Sequence, residues 1–531
     1  VFAVFEGMFD AALIAGQHLF SPLVFLSVVA GVVMGMIVGA MPIGGNLPLV
    51  VVLMGFAFVL DPYVAMGMVV AKMAVNGTTD PIPAILLGIP GSASCQATVL
   101  DGYPLARRGL AGRALAAAYM SSLIGGLFGA LAFLAVIPFA RFLLQQFGSA
   151  EFFLLGLIGI SMVGIVSSGA LVKGLLAGAF GLGIALIGTD PVLGMPRATF
   201  GSEFLYDGIS LVPMIVGLFA VPEMLNLVVS DSPVAKQRLD LMLGEVNSGR
   251  RAGIMDALHH KWLVLRASFI GLFVGMLPGV GGSAAHWLAY AQARETEKGA
   301  RQTFGKGDIR GVIAPEAANN SIDAGVLIPT LCFGIPGSGS MAVLMGFLIL
   351  MGFIPGQKML NEHLPLTMFV VFVLAISNVM AAAVALFLTP TLARIGLMSP
   401  NILAPLILAL LSISVYQATS SLMNLWVVLG FSVLGTVMKR CGWPRPPLVI
   451  ALVLAKSVEK YFSIALNAYG ARMFARPQFL VMLTLAVAAG AYMLNVQRKT
   501  RRMSARELEE TKEAMMQAAP GLRVTTSTAA E

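Results

Sequence analysis

Charged residues are what this sequence has least of. Only 11% of its 531 residues are Asp, Glu, Lys or Arg, while 58% are hydrophobic. Soluble domains carry about 25% charged residues. So little charge leaves too few polar groups to cover a water-facing surface, and lipid must cover most of it. Cysteine is scarcer still. Cys95, Cys332 and Cys441 lie in or beside apolar runs, with no metal-ligand spacing and no disulfide framework. No G-x-x-x-x-G-K-[ST] occurs, and "GKGD" (305–308) lacks the Ser/Thr, so the usual phosphate loop of an ATP-driven pump is missing. The start, "VFAVFEGMFDAALIAGQHLF", has neither a basic n-region nor an A-x-A site. Residues 1–21 are expected to form an interfacial amphipathic helix.

What the chain does have is long apolar runs along its whole length, about ten to twelve of helix-spanning size. A transmembrane β-barrel would alternate weakly over short strands instead. The expected fold is an all-α polytopic membrane protein of about 10–12 transmembrane helices, some re-entrant or broken. The net charge of +8 sits in short loops and a tail, where topology puts basic residues. Nucleic-acid binding is not expected. The organisation reads as a first membrane repeat at 22–230, a polar loop at 231–261, a second membrane repeat at 262–494 and a cytoplasmic tail at 495–531.

The halves resemble each other. A shift of 236 lays "GMIVGAMPIGG" (35–45) on "GLFVGMLPGVG" (271–281). "LLGIPGSASCQA" (86–97) matches "LCFGIPGSGSMA" (331–342) only at a shift of 246. The ten extra residues fall in the polar loop 291–311, which the first half lacks. A weaker anchor, Glu223 against Glu459, returns to 236. Two repeats of inverted topology, each with corresponding Gly/Pro-broken segments, point to a secondary transporter's binding site.

Orientation follows the Lys/Arg bias, and "QRKTRR" (497–502) marks the C-terminus as cytoplasmic. Loops 231–261 and 291–311 are both basic, yet they flank the single run 262–290. A helical hairpin reconciles them: 262–277 enters, Pro278 to Gly282 turns, and 283–290 returns. A kinked span with an imperfect charge bias is the alternative.

Backbone freed by Pro and Gly is tolerated at membrane depth only when buried in protein or lining a wet cavity. Gly88, Pro90, Gly91, Ser92 and Ser94, with Gly334, Pro336, Gly337, Ser338 and Ser340, are therefore candidate substrate ligands. Their free N–H groups and hydroxyls near helix starts favour an anion, against the alternative of tight helix packing alone. The turns at Pro42, Gly44, Gly45 and Asn46, and at Pro278, Gly279, Gly281 and Gly282, join them. Gly31, Gly35 and Gly39 read as a packing seam. Charges inside apolar runs face the interior and are functional by default. Lys72, Asp80, Glu316, Asn319, Asn320 and Asp323 are the ion-coupling candidates. Asp101, Arg107 and Arg108 read as a solvated loop. Glu223 and Glu459 suit capping or pairing, Glu459 with Lys456 or Lys460, as well as they suit a role in transport. An intramembrane hydrolase with Ser338 as nucleophile and His286 or His363 as base is a rival, as is a passive channel or scaffold.

At these residues the chain resembles the large membrane subunit of the tripartite tricarboxylate transporters. The resemblance rests on "GMIVGAMPIGG", "LDPYVAM", "ILLGIPG" and "DGYPLARRG" in the first half, and on "FGKGDIRGVIAPEAANN", "PTLCFGIPG" and "GFIPG" in the second. "GLFAVPE" and "LAKSVEK" also look like family positions. The match covers roughly 5–495. The chain departs from the pattern at Pro42-Ile43, where Pro-Gly is common, and at "AVNGTTDPIPA". Both departures fall where substrate would sit. The resemblance implies import of a small carboxylate across the bacterial inner membrane. It implies a periplasmic solute-binding protein, a small four-span membrane subunit and a Na⁺ or H⁺ gradient, with no other cofactor.

Overall fold

The computed structural model describes residues 7–41, 47–55, 60–88, 90, 92–166, 171–229, 249–277, 281–395, 400–488 and 490–491. Pro42, Gly44, Gly45, Asn46, Gly91, Pro278 and Gly279 lie outside the described residues, as do most of the 231–261 stretch and the tail.

The described chain is almost wholly helical. The helices that build its interior are α1 (Pro22–Ala40), α2 (Pro62–Thr79), α3 (Pro81–Leu87), α4 (Gln96–Arg107), α5 (Ala111–Gln145), α6 (Lys261–Met276), α7 (Gly281–Thr296), α8 (Arg310–Phe333), α9 (Gly339–Leu350), α10 (Leu364–Ile395) and α11 (Pro446–Tyr469). A two-residue antiparallel ribbon pairs Gly188–Thr189 with Pro196–Arg197. Among the described residues three helices are long and apolar enough to cross a membrane: α1, α5 and most of α10. The other apolar runs are divided into shorter helices. Proline divides some of them, because it cannot donate to the helix ladder and pushes against the preceding turn. It also starts helices cleanly. Pro62 follows Asp61, whose carboxylate accepts from Tyr63 N at 2.9 Å and Val64 N at 3.4 Å, an N-cap with Pro at the first helical position.

Glycine sets how closely the helices approach. A Cβ on Gly31 would lie 2.3 Å from Met68 O, and one on Gly35 2.5 Å from Lys72 O. The Gly31/Gly35/Gly39 row is thus a seam pressing α1 onto α2, as small residues allow. In the second half Gly271 of α6 packs on α8 in the same way, its Cβ position 2.4 Å from Ala318 O.

α6 and α7 pack against each other, while Pro278 to Val280, where the hairpin turn is expected, lie outside the described residues. The Arg266 guanidinium pairs with Glu297, which holds the start of α6 beside the end of α7. Each arm has 16 residues, roughly 24 Å at 1.5 Å per residue, short of a core about 30 Å thick. The returning arm runs to Thr296 rather than stopping near 290, because "AHWLAYAQARET" keeps an apolar face on α8 and the segment that follows. Part of the polar stretch is also ordered helix. Arg250–His259 packs on the start of α5, where Arg113 grips Asp256 with two hydrogen bonds of 2.5 and 2.9 Å.

Two polar expectations change, and the pairing expected of Glu223 is found. Asp101 is not a solvated loop residue; it lies on α4 and is fully buried. Glu459 pairs with Arg197 of the ribbon at 2.6 Å, not with a neighbouring lysine. Glu223 is gripped by Lys439 at 2.7 Å and Arg445 at 2.9 Å.

Candidate functional site at the two helix breaks

The two Gly-Ile-Pro-Gly-Ser segments share a backbone shape. Gly88 and Gly334 end α3 and α8 in the left-handed region, at φ 70° and 69°. Each donates its N–H to a proline carbonyl five residues back, Pro83 and Pro329. Glycine is the residue that adopts this turn without strain. Ser92 and Ser338 then take extended conformations at φ −144° and −154°, and each caps the turn that follows. Ser92 Oγ accepts from Ser94 N at 3.3 Å; Ser338 Oγ accepts from Met341 N at 3.3 Å.

The occupants of the two breaks differ. At the first, Ser92 donates its hydroxyl to the Asp80 carboxylate, and Asn76 Nδ2 donates to Asp80 Oδ1 at 3.0 Å. Lys72 and Asn76 on α2 and Asp80 at its C-cap follow one another at one-turn intervals, and the buried Lys72 and Asp80 attract each other. At the second break, a shift of 246 puts Val326 where Asp80 stands. Gly337 packs against Val326 and donates to Thr330 Oγ1 at 3.2 Å. The hydroxyl of Ser338 faces no acid there.

Proline also explains how the halves are sewn together. Pro81 has no N–H, so Gly77 O loses its helical partner. Asn319 Nδ2 of α8 takes that carbonyl at 3.1 Å. Beside it, Asn320 Nδ2 donates to Thr78 Oγ1 at 2.8 Å and to Asn378 Oδ1 of α10 at 2.6 Å. Two acceptors on the nitrogen fix the amide's orientation and leave Asn320 Oδ1 buried with no hydrogen-bond partner; Asn76 Oδ1 is in the same condition. A side chain on Gly77 would strike Asn320 Oδ1 at 2.7 Å.

Glu316, fully buried on α8, is held from three directions. Thr98 of α4 donates to Oε1, Asn319 reaches Oε2 at 3.4 Å, and Ser122 of α5 sits 3.5 Å from Oε2. Cys95 Sγ approaches at 3.9 Å. Asp323 lines a cavity of about 10 Å³ between α2, α8, α9 and α10, with Met73, Leu327 and Met341. That is the room one water needs.

Of the predicted residues, the fold brings Lys72, Asp80, Ser92, Ser94, Glu316, Asn319 and Asn320 into one buried layer. Asp323 borders it through the cavity. Ser338 and Ser340 are not bonded to this layer; Gly339 abuts Pro446 of α11 instead. Gly281 and Gly282 open α7, and Pro90 is exposed. Ser338, the nucleophile of the rival hydrolase reading, uses its hydroxyl to cap Met341 N at 3.3 Å. Asn76, Thr98, Ser122 and Asn378 were missed. Asn76 and Asn378 carried a signal: each is an amide inside an apolar run.

The fold and this interior define a polytopic helical membrane protein with a buried polar layer beside a helix break. Residues 25–450 match the tripartite tricarboxylate transporter TctA family, and the chain belongs to it. This is a family of transporter subunits, not of enzymes. Two relatives from Agrobacterium vitis are similar. One, an uncharacterized 52.8 kDa protein in the TAR-I ttuC' 3'region, is 29% identical over 465 residues, covering 86% of this chain and 89% of the relative. The other, an uncharacterized protein in the TAR-II ttuC' 3'region, is 29% identical over 196 residues, covering 37% of this chain and 81% of the relative. No solved structure matches.

Proposed function

We propose that this chain is the transporting subunit of a three-part importer of a small di- or tricarboxylate in the bacterial inner membrane. A periplasmic solute-binding protein delivers the substrate, and a small four-span subunit completes the complex. The two halves act as inverted repeats that rock against each other. The carrying observation is the pair of breaks with one backbone shape and different occupants.

The first break already holds a carboxylate of the chain itself, Asp80, and so suits a cation. Asn76 Oδ1 and Asn320 Oδ1 are buried oxygens with nothing to accept from. An amide oxygen does not take a proton at neutral pH but does ligate Na⁺. This supports Na⁺ over H⁺ as the coupling ion. The second break offers Ser338, Ser340 and the start of α9 to a substrate carboxylate. A helix end contributes up to about 2 kcal/mol toward an anion. That falls short of the several kcal/mol needed to desolvate each charge, so a bound cation must supply the balance.

Uptake of labelled citrate and smaller dicarboxylates into vesicles, with an imposed Na⁺ or pH gradient, tests this. Accumulation above the outside concentration under a Na⁺ gradient is expected. Equilibration without accumulation would make the protein a passive channel. Ser338→Leu is expected to abolish uptake while the protein inserts at its normal level. Normal uptake by that variant would move the carboxylate away from the second break.

A further inference from the structure

We propose that the inserted segment 297–309 is a latch between the two halves, and that Asp101 is the positioning residue it grips. The segment lies within the polar loop 291–311, where the ten residues that the first half lacks fall. Its grip is specific. Asp101 Oδ1 accepts from the backbone N–H of Gly307 and of Asp308, both at 2.8 Å. Asp101 Oδ2 accepts from the Tyr290 hydroxyl of α7 at 2.9 Å. Gly307 stands at φ 92°, a left-handed conformation that presents two successive N–H groups to one anion. No Lys or Arg forms an ion pair with Asp101 among the described residues. Among the described residues, the hydrogen bonds to this carboxylate come from the segment's backbone and Tyr290.

The segment is braced by the first residue of α8. Arg310 binds Asp308 at 2.6 Å and the Lys298 carbonyl at 2.9 Å. It therefore pulls on Asp101 as a unit. Asp101 and Thr98 lie three residues apart, on one face of α4. Thr98 bonds Glu316, and Cys95 at the entry to α4 is completely buried against the same carboxylate. A held Asp101 holds Thr98 on Glu316 and seals the layer from the side that carries the basic segments. Release frees α4 to swing and opens that side. All the grip comes from the second half, and α4 belongs to the first, so the joint crosses the boundary that alternating access must open. In that purpose it rests on the transport proposal.

Cys95 is a native reporter. With Cys332→Ala and Cys441→Ser it is the sole cysteine, and a charged, membrane-impermeant methanethiosulfonate reads its exposure in inside-out and right-side-out vesicles of the full chain. Tyr290→Phe removes one hydroxyl from Asp101. It is expected to speed labelling from the basic side about ten-fold, the scale of one hydrogen bond to a charged acceptor, and to leave the opposite side unchanged. Asp101→Asn should do more. If Asp101→Asn fails to insert, Tyr290→Phe decides alone. An unchanged rate, or an equal rise from both sides, overturns the latch, since general loosening has no sidedness. Labelling needs no substrate. Failure of every carboxylate to be taken up would sink the transport proposal and leave the labelling result standing.

Discussion

Asp80→Asn is expected to lower carboxylate uptake by about 100-fold or more. That variant removes the buried carboxylate that accepts from Asn76 and Ser92 and attracts Lys72, and with it the negative charge at the first break. Asparagine keeps the shape and can still accept from Ser92, so the loss isolates the charge. The measurement is the initial uptake rate in vesicles, normalised to inserted protein, over a range of Na⁺ concentrations. A Lys72→Met/Asp80→Asn double variant separates the two roles of the pair. It removes both charges, so the melting temperature should return toward that of the parent, while uptake stays low because no carboxylate remains at the first break. Uptake within about two-fold of the parent in Asp80→Asn would make Asp80 a counterion for Lys72 and no more.

The sequence made the two breaks legible because their chemistry is local. A Pro, two Gly and a Ser in order specify a left-handed turn and a cap wherever they occur, and Gly88/Ser92 and Gly334/Ser338 take the same dihedral angles. The glycine row of α1 was legible for the same reason, since spacing by four puts it on one face. The ten-residue insert showed itself as a change of shift. What stayed hidden was the choice of partner. Glu316 lies 218 residues from Thr98, Asp101 206 from Gly307 and Arg197 262 from Glu459. Those pairings follow from how helices pack, and no periodicity along one segment encodes them. Asp101 was misread because "DGYPLARRG" looks like a polar loop by composition. Its carboxylate is buried only because a distant segment brings backbone donors to it. Asn319 shows the middle case: Pro81 announces an orphaned Gly77 carbonyl, but only the packing of α8 on α2 names the side chain that takes it.

Gly125→Ala carries the largest expected effect on the fold. A Cβ there would lie 2.1 Å from Ala317 O and 3.0 Å from Ala317 C. The clash is with backbone, which cannot rotate away, so α5 must retreat from α8 by about 1 Å or more to restore contact near 3.5 Å. The retreat falls at the worst place. Ser122, one turn before Gly125, reaches Glu316, and Gly126 abuts Asn378. One methyl group would therefore loosen both the packing seam and the polar layer, leaving buried polar atoms short of partners at about 1–3 kcal/mol each. The variant is expected to give little monodisperse protein in detergent, and what is recovered should melt well below the parent. Gly183→Ala is the control. It sits in the helix Leu171–Ala185 with nothing within 4 Å of its Cβ position, and alanine there should be neutral or stabilising by up to about 1 kcal/mol. Equal melting temperatures for the two variants would mean that α5 and α8 are held apart by something other than the glycine contact. Ser122 and Asn378 would then have slack to follow their partners, and the buried layer would owe its geometry to its hydrogen bonds rather than to the helices that carry them.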